Sequence, residues 1–117
     1  MSRTVLIVDD HAGFRRAART LLEAEGYDVV GESATGGEAL VDADREHPSV
    51  VLLDIGLPDI DGLEVAARLT AADSDRAVVL TSSRDASEYL TLIEGTGARG
   101  FIPKDELSGA AITALAA

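Results

Sequence analysis

The sequence contains no cysteine and no long apolar run. Without cysteine the chain can form no disulfide, no thiolate metal site and no cysteine nucleophile, and a cytoplasmic location is the simplest expectation. The first residues, Met1 to Thr4, lead directly into a strand-like segment. We therefore expect neither a signal peptide nor a membrane-spanning helix.

Basic residues are also scarce. The 117 residues include 10 Lys and Arg against 21 Asp and Glu, which gives a net charge of −11. A domain of this charge repels polyanions, so we do not expect it to bind nucleic acid directly. The length allows one full hydrophobic core, and 46% of the residues are hydrophobic. We therefore predict one domain over residues 1–117, without room for a second.

Five short apolar runs alternate with amphipathic segments along the chain. The runs begin at Val5, Asp28, Val50, Ala77 and Gly100. Most are rich in β-branched residues or Leu, and each is followed by apolar residues at helical spacing. Strands that alternate with helices form a parallel sheet with helices on both faces. We therefore predict a flavodoxin-like (βα)5 fold, doubly wound, with the strand order 2-1-3-4-5.

Several segments have the sequence of a helix start. Residues 35–38 (TGGE) and 61–64 (DGLE) have the pattern of a capping box, and residues 85–88 (DASE) repeat it. Asp105 is placed to cap the last helix. We predict helices after these positions, and the helix that follows residue 61 is expected to run to about Ala72.

Carboxylates follow two of the apolar runs directly. Val50 to Leu53 is a run typical of a strand buried on both faces, and it stops at Asp54. Residues 55–58 (IGLP) cannot continue a central strand, so Asp54 should lie at the carboxyl end of its strand. The first run ends in the same way at Asp9-Asp10. Because strands one and three are neighbours in the predicted order, we expect the three carboxylates to converge.

Three carboxylates this close repel one another, so either one stays protonated or a cation neutralises them. Oxygen ligands suit Mg²⁺, which prefers one or two carboxylates and a phosphate oxygen. Thr81 and Lys104 end the next two strands. The hydroxyl can donate to a phosphoryl oxygen, and the ammonium group supplies a positive charge. Together these groups surround Asp54, a carboxylate that could accept a phosphoryl group in line.

These residues, taken with their neighbours, resemble the receiver domain of bacterial two-component response regulators. The matching pieces are Val8-Asp9-Asp10, Asp54 with Leu57-Pro58 and Asp61-Gly62, Thr81-Ser82, and residues 97–104 (GARGFIPK). The resemblance covers essentially the whole chain.

The resemblance implies a phosphoacceptor and a metal site. Asp54 would take a phosphoryl group from a phosphohistidine on a sensor histidine kinase or phosphotransfer protein. Asp10, Asp54 and the backbone carbonyl of Gly56 would bind Mg²⁺, and Asp9 would help through water. Catalysis would be limited to self-phosphorylation and slow loss of the phosphoryl group, so the chain would not be a turnover enzyme.

The resemblance also implies a switch and an output. Thr81 and Phe101 would form the switch pair, in which the hydroxyl moves toward the phosphoryl group and the aromatic ring turns inward. This change would remodel the face made by strands and helices four and five, where a homodimer could form on phosphorylation. Residues 10–15 (DHAGFR) and 100–104 (GFIPK) look most like the subfamily with a helix-turn-helix DNA-binding output domain.

The chain departs from the family at one place, because Asp105 follows Lys104 where many receivers have a proline joined by a cis bond. A cis bond would be costly here without proline, but we still expect Lys104 to face the site. His11 is expected just outside the acidic crevice as a solvated loop residue, and Phe14 is expected in the core. A basic strip made of Arg15, Arg16 and Arg19 could be either a solvated helix face or a kinase-docking surface.

Three other functions are alternatives to that of a receiver. A phosphohydrolase of the haloacid dehalogenase type needs a second acid two residues after the nucleophile, where this chain has Gly56. A nucleotide- or flavin-binding domain would need a phosphate loop after the first strand, where Asp9 and Asp10 would repel phosphates. A phosphate-independent interaction module would be indicated by loss of Asp54, Lys104 or one of the acid pair, and none is lost.

Overall fold

The computed structural model describes residues 3–83 and 90–116. Strands and helices alternate along the chain, and a short 3₁₀ turn, Lys104–Glu106, precedes the last helix. The elements in order are β1 (Thr4–Val8), α1 (Ala12–Ala24), β2 (Asp28–Ser33), α2 (Gly36–Glu46), β3 (Val50–Asp54), α3 (Gly62–Ala72), β4 (Ala77–Ser82), α4 (Leu90–Glu94), β5 (Gly100–Pro103) and α5 (Gly109–Ala116). No helix in this described part combines the length and apolar character that crossing a bilayer requires.

The five strands form one parallel sheet with the order β2-β1-β3-β4-β5. The predicted flavodoxin-like (βα)5 fold is therefore confirmed. In the register of the sheet, Val8 aligns with Leu53, and Asp54 aligns with Thr81. The carboxyl ends of the central strands consequently meet at one edge.

Alternate residues of the strands supply two core clusters, one on each face of the sheet. On β1, Val5 and Ile7 pack with residues of α1 and α5, whereas Leu6 and Val8 pack with residues of α2 and α3. Every residue of β3 is buried. A strand covered on both faces needs apolar side chains at every position, which explains the uninterrupted run from Val50 to Leu53.

Two of the predicted helix starts are confirmed. The Thr35 hydroxyl accepts a hydrogen bond from the backbone N–H of Glu38 at 3.1 Å, and α2 begins at the next residue, Gly36. The Asp61 carboxylate accepts from the backbone N–H of Leu63 at 2.8 Å, and α3 ends at Ala72 as predicted. The start predicted at residues 85–88 lies outside the described residues.

The predicted cap at Asp105 is wrong. Asp105 lies within the 3₁₀ turn, which separates β5 from the last helix. The Ser108 hydroxyl instead accepts from the backbone N–H of Ala111 at 3.0 Å, and α5 begins at Gly109. Because of this tight turn, the helix begins several residues later than predicted, and a serine caps it instead of Asp105.

One buried cation was not anticipated from the sequence. Arg76, only 5% exposed, donates from its guanidinium to the carbonyls of Ala43 and Leu69, each at 3.4 Å. These carbonyls belong to the last turns of α2 and α3, and each also accepts from the backbone N–H of its helix's C-terminal capping residue, so the guanidinium is a second donor to both. Arg76 thus covers the carboxyl ends of two neighbouring helices at the edge of the sheet opposite Asp54.

The loop that follows β3 is tied to the start of α2. Asp59 accepts from the backbone N–H groups of Gly36 at 2.8 Å and Gly37 at 2.9 Å. The first N–H groups of a helix have no partner within the helix, so an external carboxylate is well placed there. Hydrogen bonds from Gly37 and Gly36 lower the pKa of Asp59 below its ordinary value. The ionised form is therefore the one that the folded protein favours.

We predict that Asp59→Ala lowers the melting temperature by a few degrees at pH 7, because two N–H groups lose their acceptor. Folding lowers the pKa of Asp59. The carboxylate therefore stabilises the folded state fully above its pKa in the unfolded chain, and this stabilisation is lost as the pH falls through its pKa in the folded chain. The difference from the native chain should therefore shrink on acidification. Thermal unfolding at several pH values measures this, with the exposed Asp75→Ala as the control; equal melting temperatures for all three chains at pH 7 would contradict it.

Candidate functional site

The polar residues predicted for the site do lie at one edge of the sheet. Asp9 follows β1, Asp54 ends β3, Thr81 lies in β4 and Lys104 follows β5. The backbone N–H of Ile55 donates to the carbonyl of Thr81 at 3.0 Å, which continues the sheet one residue past the carboxylate. The strand ends therefore deliver these side chains to a common place, as the alternation of strands and helices predicted.

Lys104 links two of the carboxylates. Its Nζ lies 2.6 Å from Oδ2 of Asp9 and 3.4 Å from Oδ2 of Asp54. The same Nζ lies 4.6 Å from the centroid of the Phe14 ring, a cation–π distance. The Lys104–Asp105 peptide bond is trans. Lys104 thus faces the site without the proline that follows it in many receivers.

Asp54 is 4% exposed, and its ionisation depends on a few close groups. Burial is the largest effect and raises the pKa of Asp54 above its ordinary value; the nearby Asp9 raises it too. The backbone N–H of Gly56, which donates to Oδ1 at 3.1 Å, and the Lys104 ammonium lower the pKa but do not cancel the rise. One lysine therefore compensates only part of the charge, and a further cation would favour the ionised form.

The donor set fits a hard divalent ion. Asp9, Asp10, His11 and Asp54 each offer one ligand atom, and these four atoms lie within 4.8 Å of one another. Asp9 is fully buried, whereas Asp10 is exposed, so solvent can complete a coordination shell from one side. Mg²⁺ prefers one or two carboxylates and retains several waters. The role of the Gly56 carbonyl in such a site stays a prediction.

Comparisons with known proteins agree with this geometry. The family model for the response regulator receiver domain matches residues 5–116. The chain belongs to this family. Over 106 residues it is 41% identical to BvgA of Bordetella pertussis, named as a positive transcription regulator of virulence factors, and this match covers 91% of the chain and 51% of BvgA. The receiver thus spans about half the length of the curated relatives it matches.

Solved structures of other receivers have the same fold. The signal receiver domain of NarL from Mycobacterium tuberculosis is 31% identical with a TM-score of 0.87, and the match covers 97% of this chain and 96% of that one. CheY in the CheX–CheY–BeF3–Mg²⁺ complex from Borrelia burgdorferi is 25% identical with a TM-score of 0.85, over 97% of this chain and 85% of that one. The similarity extends over nearly the whole receiver.

His11 lies closer to the acids of this receiver than we predicted. Its side chain is 67% exposed, as expected for a solvated loop residue, but Nδ1 lies 3.0 Å from Oδ1 of Asp9 and 3.1 Å from Oδ1 of Asp10. Its backbone N–H also donates to Oδ1 of Asp9 at 2.8 Å. The prediction that His11 stands outside the crevice is therefore wrong. The turn from β1 into α1 folds the imidazole back over the carboxylates, and no sequence pattern shows this turn.

Thr81 and Phe101, the predicted switch pair, lie on adjacent strands. The Thr81 hydroxyl is completely buried and finds no hydrogen-bond partner within residues 3–83 and 90–116. Phe101 is half-buried and packs against the cluster on the face of α2 and α3. The aligned partner of Phe101 on β4 is Leu80, the residue before Thr81. The structure thus places the two residues near each other, and their switching role stays a prediction.

The basic strip on α1 is partly neutralised within the receiver. Glu32 of β2 pairs with Arg15 at 3.3 Å and with Arg19 at 2.7 Å. Arg15 also donates to the backbone carbonyl of Asp9 at 2.6 Å, which braces the loop that carries the acids. Arg16 is exposed. Arg15 therefore has a structural role that its position in the strip did not reveal, and docking by the strip stays a prediction.

We predict that Asp54→Asn stabilises the receiver by about 1 kcal/mol at pH 7 without divalent ions, because it removes a buried charge that repels Asp9. Since burial raises the pKa of Asp54, the native chain loses stability as the pH rises from the ordinary value of 3.8 through the folded pKa, and the variant lacks this loss. Urea unfolding at pH 4 and pH 7 should show the difference growing with pH. The exposed Asp105→Asn is the control, and a native chain more stable than Asp54→Asn at pH 7 would refute the prediction.

Proposed function

We propose that this chain is a phosphorylation-activated receiver in which Asp54 accepts a phosphoryl group. The observation that supports this most directly is the convergence of Lys104 with Asp9 and Asp54 at the carboxyl edge of the sheet, with Nζ 2.6 Å and 3.4 Å from the two carboxylates. A nucleophile, a counter-charge and a metal-binding set of acids then stand together. These are the groups that phosphoryl transfer to a carboxylate requires.

Each residue of the site has a different role in the phosphoryl transfer. An Asp54 oxygen attacks phosphorus in line while the bond from phosphorus to the imidazole nitrogen of the donor breaks, and the product is an acyl phosphate on Asp54. Lys104 offsets charge on the phosphoryl oxygens, and the Thr81 hydroxyl donates to one of them. Mg²⁺, held by Asp10, Asp54 and the Gly56 carbonyl with Asp9 acting through water, would supply further charge neutralisation. The chain thus prepares its own modification and is not a conventional turnover enzyme.

The Thr81 hydroxyl, which has no hydrogen-bond partner among the described residues, supports the proposed switch. A buried hydroxyl without a partner costs on the order of 1–3 kcal/mol, and a phosphoryl oxygen on the aligned Asp54 would relieve that cost. Movement of Thr81 toward Asp54 leaves space near β5, into which Phe101 can turn. Strands and helices four and five would then present a different surface, on which a homodimer could form.

The partners follow from this chemistry and from the relatives. A sensor histidine kinase or phosphotransfer protein would donate the phosphoryl group in the cytoplasm. Residues 1–117 form one receiver domain in this proposal, and since the relatives are about twice as long and include transcription regulators, a helix-turn-helix output domain would bind DNA. The net charge of −11 argues against DNA binding by the receiver itself.

We predict that acetyl phosphate with Mg²⁺ adds one phosphoryl group to the native chain and none to Asp54→Asn, because the amide cannot act as the nucleophile. Intact-protein mass spectrometry with and without Mg²⁺ measures this. Asp105→Asn, beside Lys104 but exposed, is the matched control and should be modified as the native chain is. Equal modification of Asp54→Asn, or none of the folded native chain under any condition, would overturn the proposed function.

We predict that Thr81→Val stabilises the unphosphorylated receiver by about 1 kcal/mol and uncouples Phe101 from the site. The substitution puts a methyl group in a buried strand in place of a hydroxyl that has no partner in the part of the chain that the structure describes. Chemical shifts of the Phe101 ring on addition of beryllofluoride and Mg²⁺ report the coupling. Thr81→Ser retains the hydroxyl and should respond as the native chain does. A full Phe101 response in Thr81→Val would exclude the hydroxyl as the link.

A further inference from the structure

We propose that His11 contributes a nitrogen ligand to the metal site, so that the site binds Ni²⁺ and Zn²⁺ more tightly than it would with oxygen ligands alone. This inference rests on the metal site of the proposed function and extends it by one ligand. Three consecutive residues, Asp9, Asp10 and His11, would then face the same ion.

The ring nitrogen of His11 lies close to oxygens of both neighbouring carboxylates. Nδ1 of His11 lies 3.0 Å from Oδ1 of Asp9 and 3.1 Å from Oδ1 of Asp10. Two ligands bound at about 2.1 Å and at right angles to each other lie about 3.0 Å apart. The nitrogen therefore stands from Oδ1 of Asp10, a direct ligand in the proposed site, at the distance that separates neighbouring ligands in an octahedral shell.

The backbone holds the imidazole at this position and leaves it accessible. The N–H of His11 donates to Oδ1 of Asp9 at 2.8 Å, and His11 is the residue that precedes the first turn of α1. With 67% of the side chain exposed, an ion can approach the ring from solvent. The opposite oxygen of Asp9, Oδ2, is occupied by Lys104, so an ion and the lysine need not share one carboxylate oxygen.

The choice of metal ion distinguishes an imidazole that binds the ion from one that only forms hydrogen bonds. Mg²⁺ is a hard ion that prefers oxygen, and an added imidazole contributes little to its affinity. Ni²⁺ and Zn²⁺ bind imidazole well and rank far above Mg²⁺ for sites that contain nitrogen. Loss of His11 should therefore weaken Ni²⁺ binding much more than Mg²⁺ binding. A ring that only donates a hydrogen bond to the two carboxylates predicts no such difference.

The chain offers a matched pair of variants, because it has two histidines. His11→Asn places a favourable residue before α1, and His47→Asn suits the left-handed backbone at φ 48°. Both variants should fold. Isothermal titration of tag-free native and variant chains with Ni²⁺ and separately with Mg²⁺ gives the affinities. NMR spectra with Co²⁺ identify any imidazole that is bound directly, because its ring protons shift strongly.

We expect His11→Asn to lose at least about ten-fold in Ni²⁺ affinity, since even outer-shell partners of a metal ligand are worth ten-fold or more. Its Mg²⁺ affinity should change less than about two-fold, His47→Asn should match the native chain, and Co²⁺ should shift the His11 ring. Unchanged Ni²⁺ affinity in His11→Asn, or a loss only in His47→Asn, would overturn the inference and leave the proposed function intact. Failure of the native chain to bind either ion would remove the metal site, and with it both proposals.

Discussion

Repulsion among the carboxylates at one edge of the sheet dominates the electrostatics of this receiver. Asp9 and Asp54 are both almost completely buried, and the pKa of Asp54 is raised because burial and Asp9 oppose its ionisation. Such an arrangement persists if a carboxyl group stays protonated or if cations compensate the charge. Lys104 supplies one of them, and a divalent ion would supply the rest. A site that attracts cations in this way also suits a phosphoryl group that is accompanied by Mg²⁺, because the ion neutralises part of the added negative charge.

The fold provides the rigidity that this arrangement needs. β3 is buried on both faces and ends at Asp54, so the two core clusters fix the position of this carboxylate. The loop beyond it is held at Asp59, which binds the start of α2, and the loop before α1 is held by Arg15 at the carbonyl of Asp9. By contrast, the Thr81 hydroxyl lacks a partner within the described residues. Because this hydroxyl lies beside a rigidly held carboxylate, a change of charge at the carboxylate can change the local structure.

The sequence was sufficient to predict the sheet order and the set of acids, because buried strands need apolar runs and parallel strands end at a common edge. The features it did not predict depend on how loops approach one another. The contact of Asp59 with α2 and that of His11 with the acids need the folded loops, and Asp105 failed as a cap because a 3₁₀ turn precedes the helix. Burial of Arg76 likewise depends on two helix ends that are distant in sequence.

Chemical trapping would locate the phosphoryl group that we propose on Asp54. Borohydride reduces an aspartyl phosphate to homoserine, so treatment of the phosphorylated native chain followed by peptide mass spectrometry locates the acceptor without any substitution. We predict homoserine at position 54 alone, and only when Mg²⁺ is present during phosphorylation. Homoserine at position 9 or 10, or a phosphoryl group that borohydride does not reduce, would contradict it.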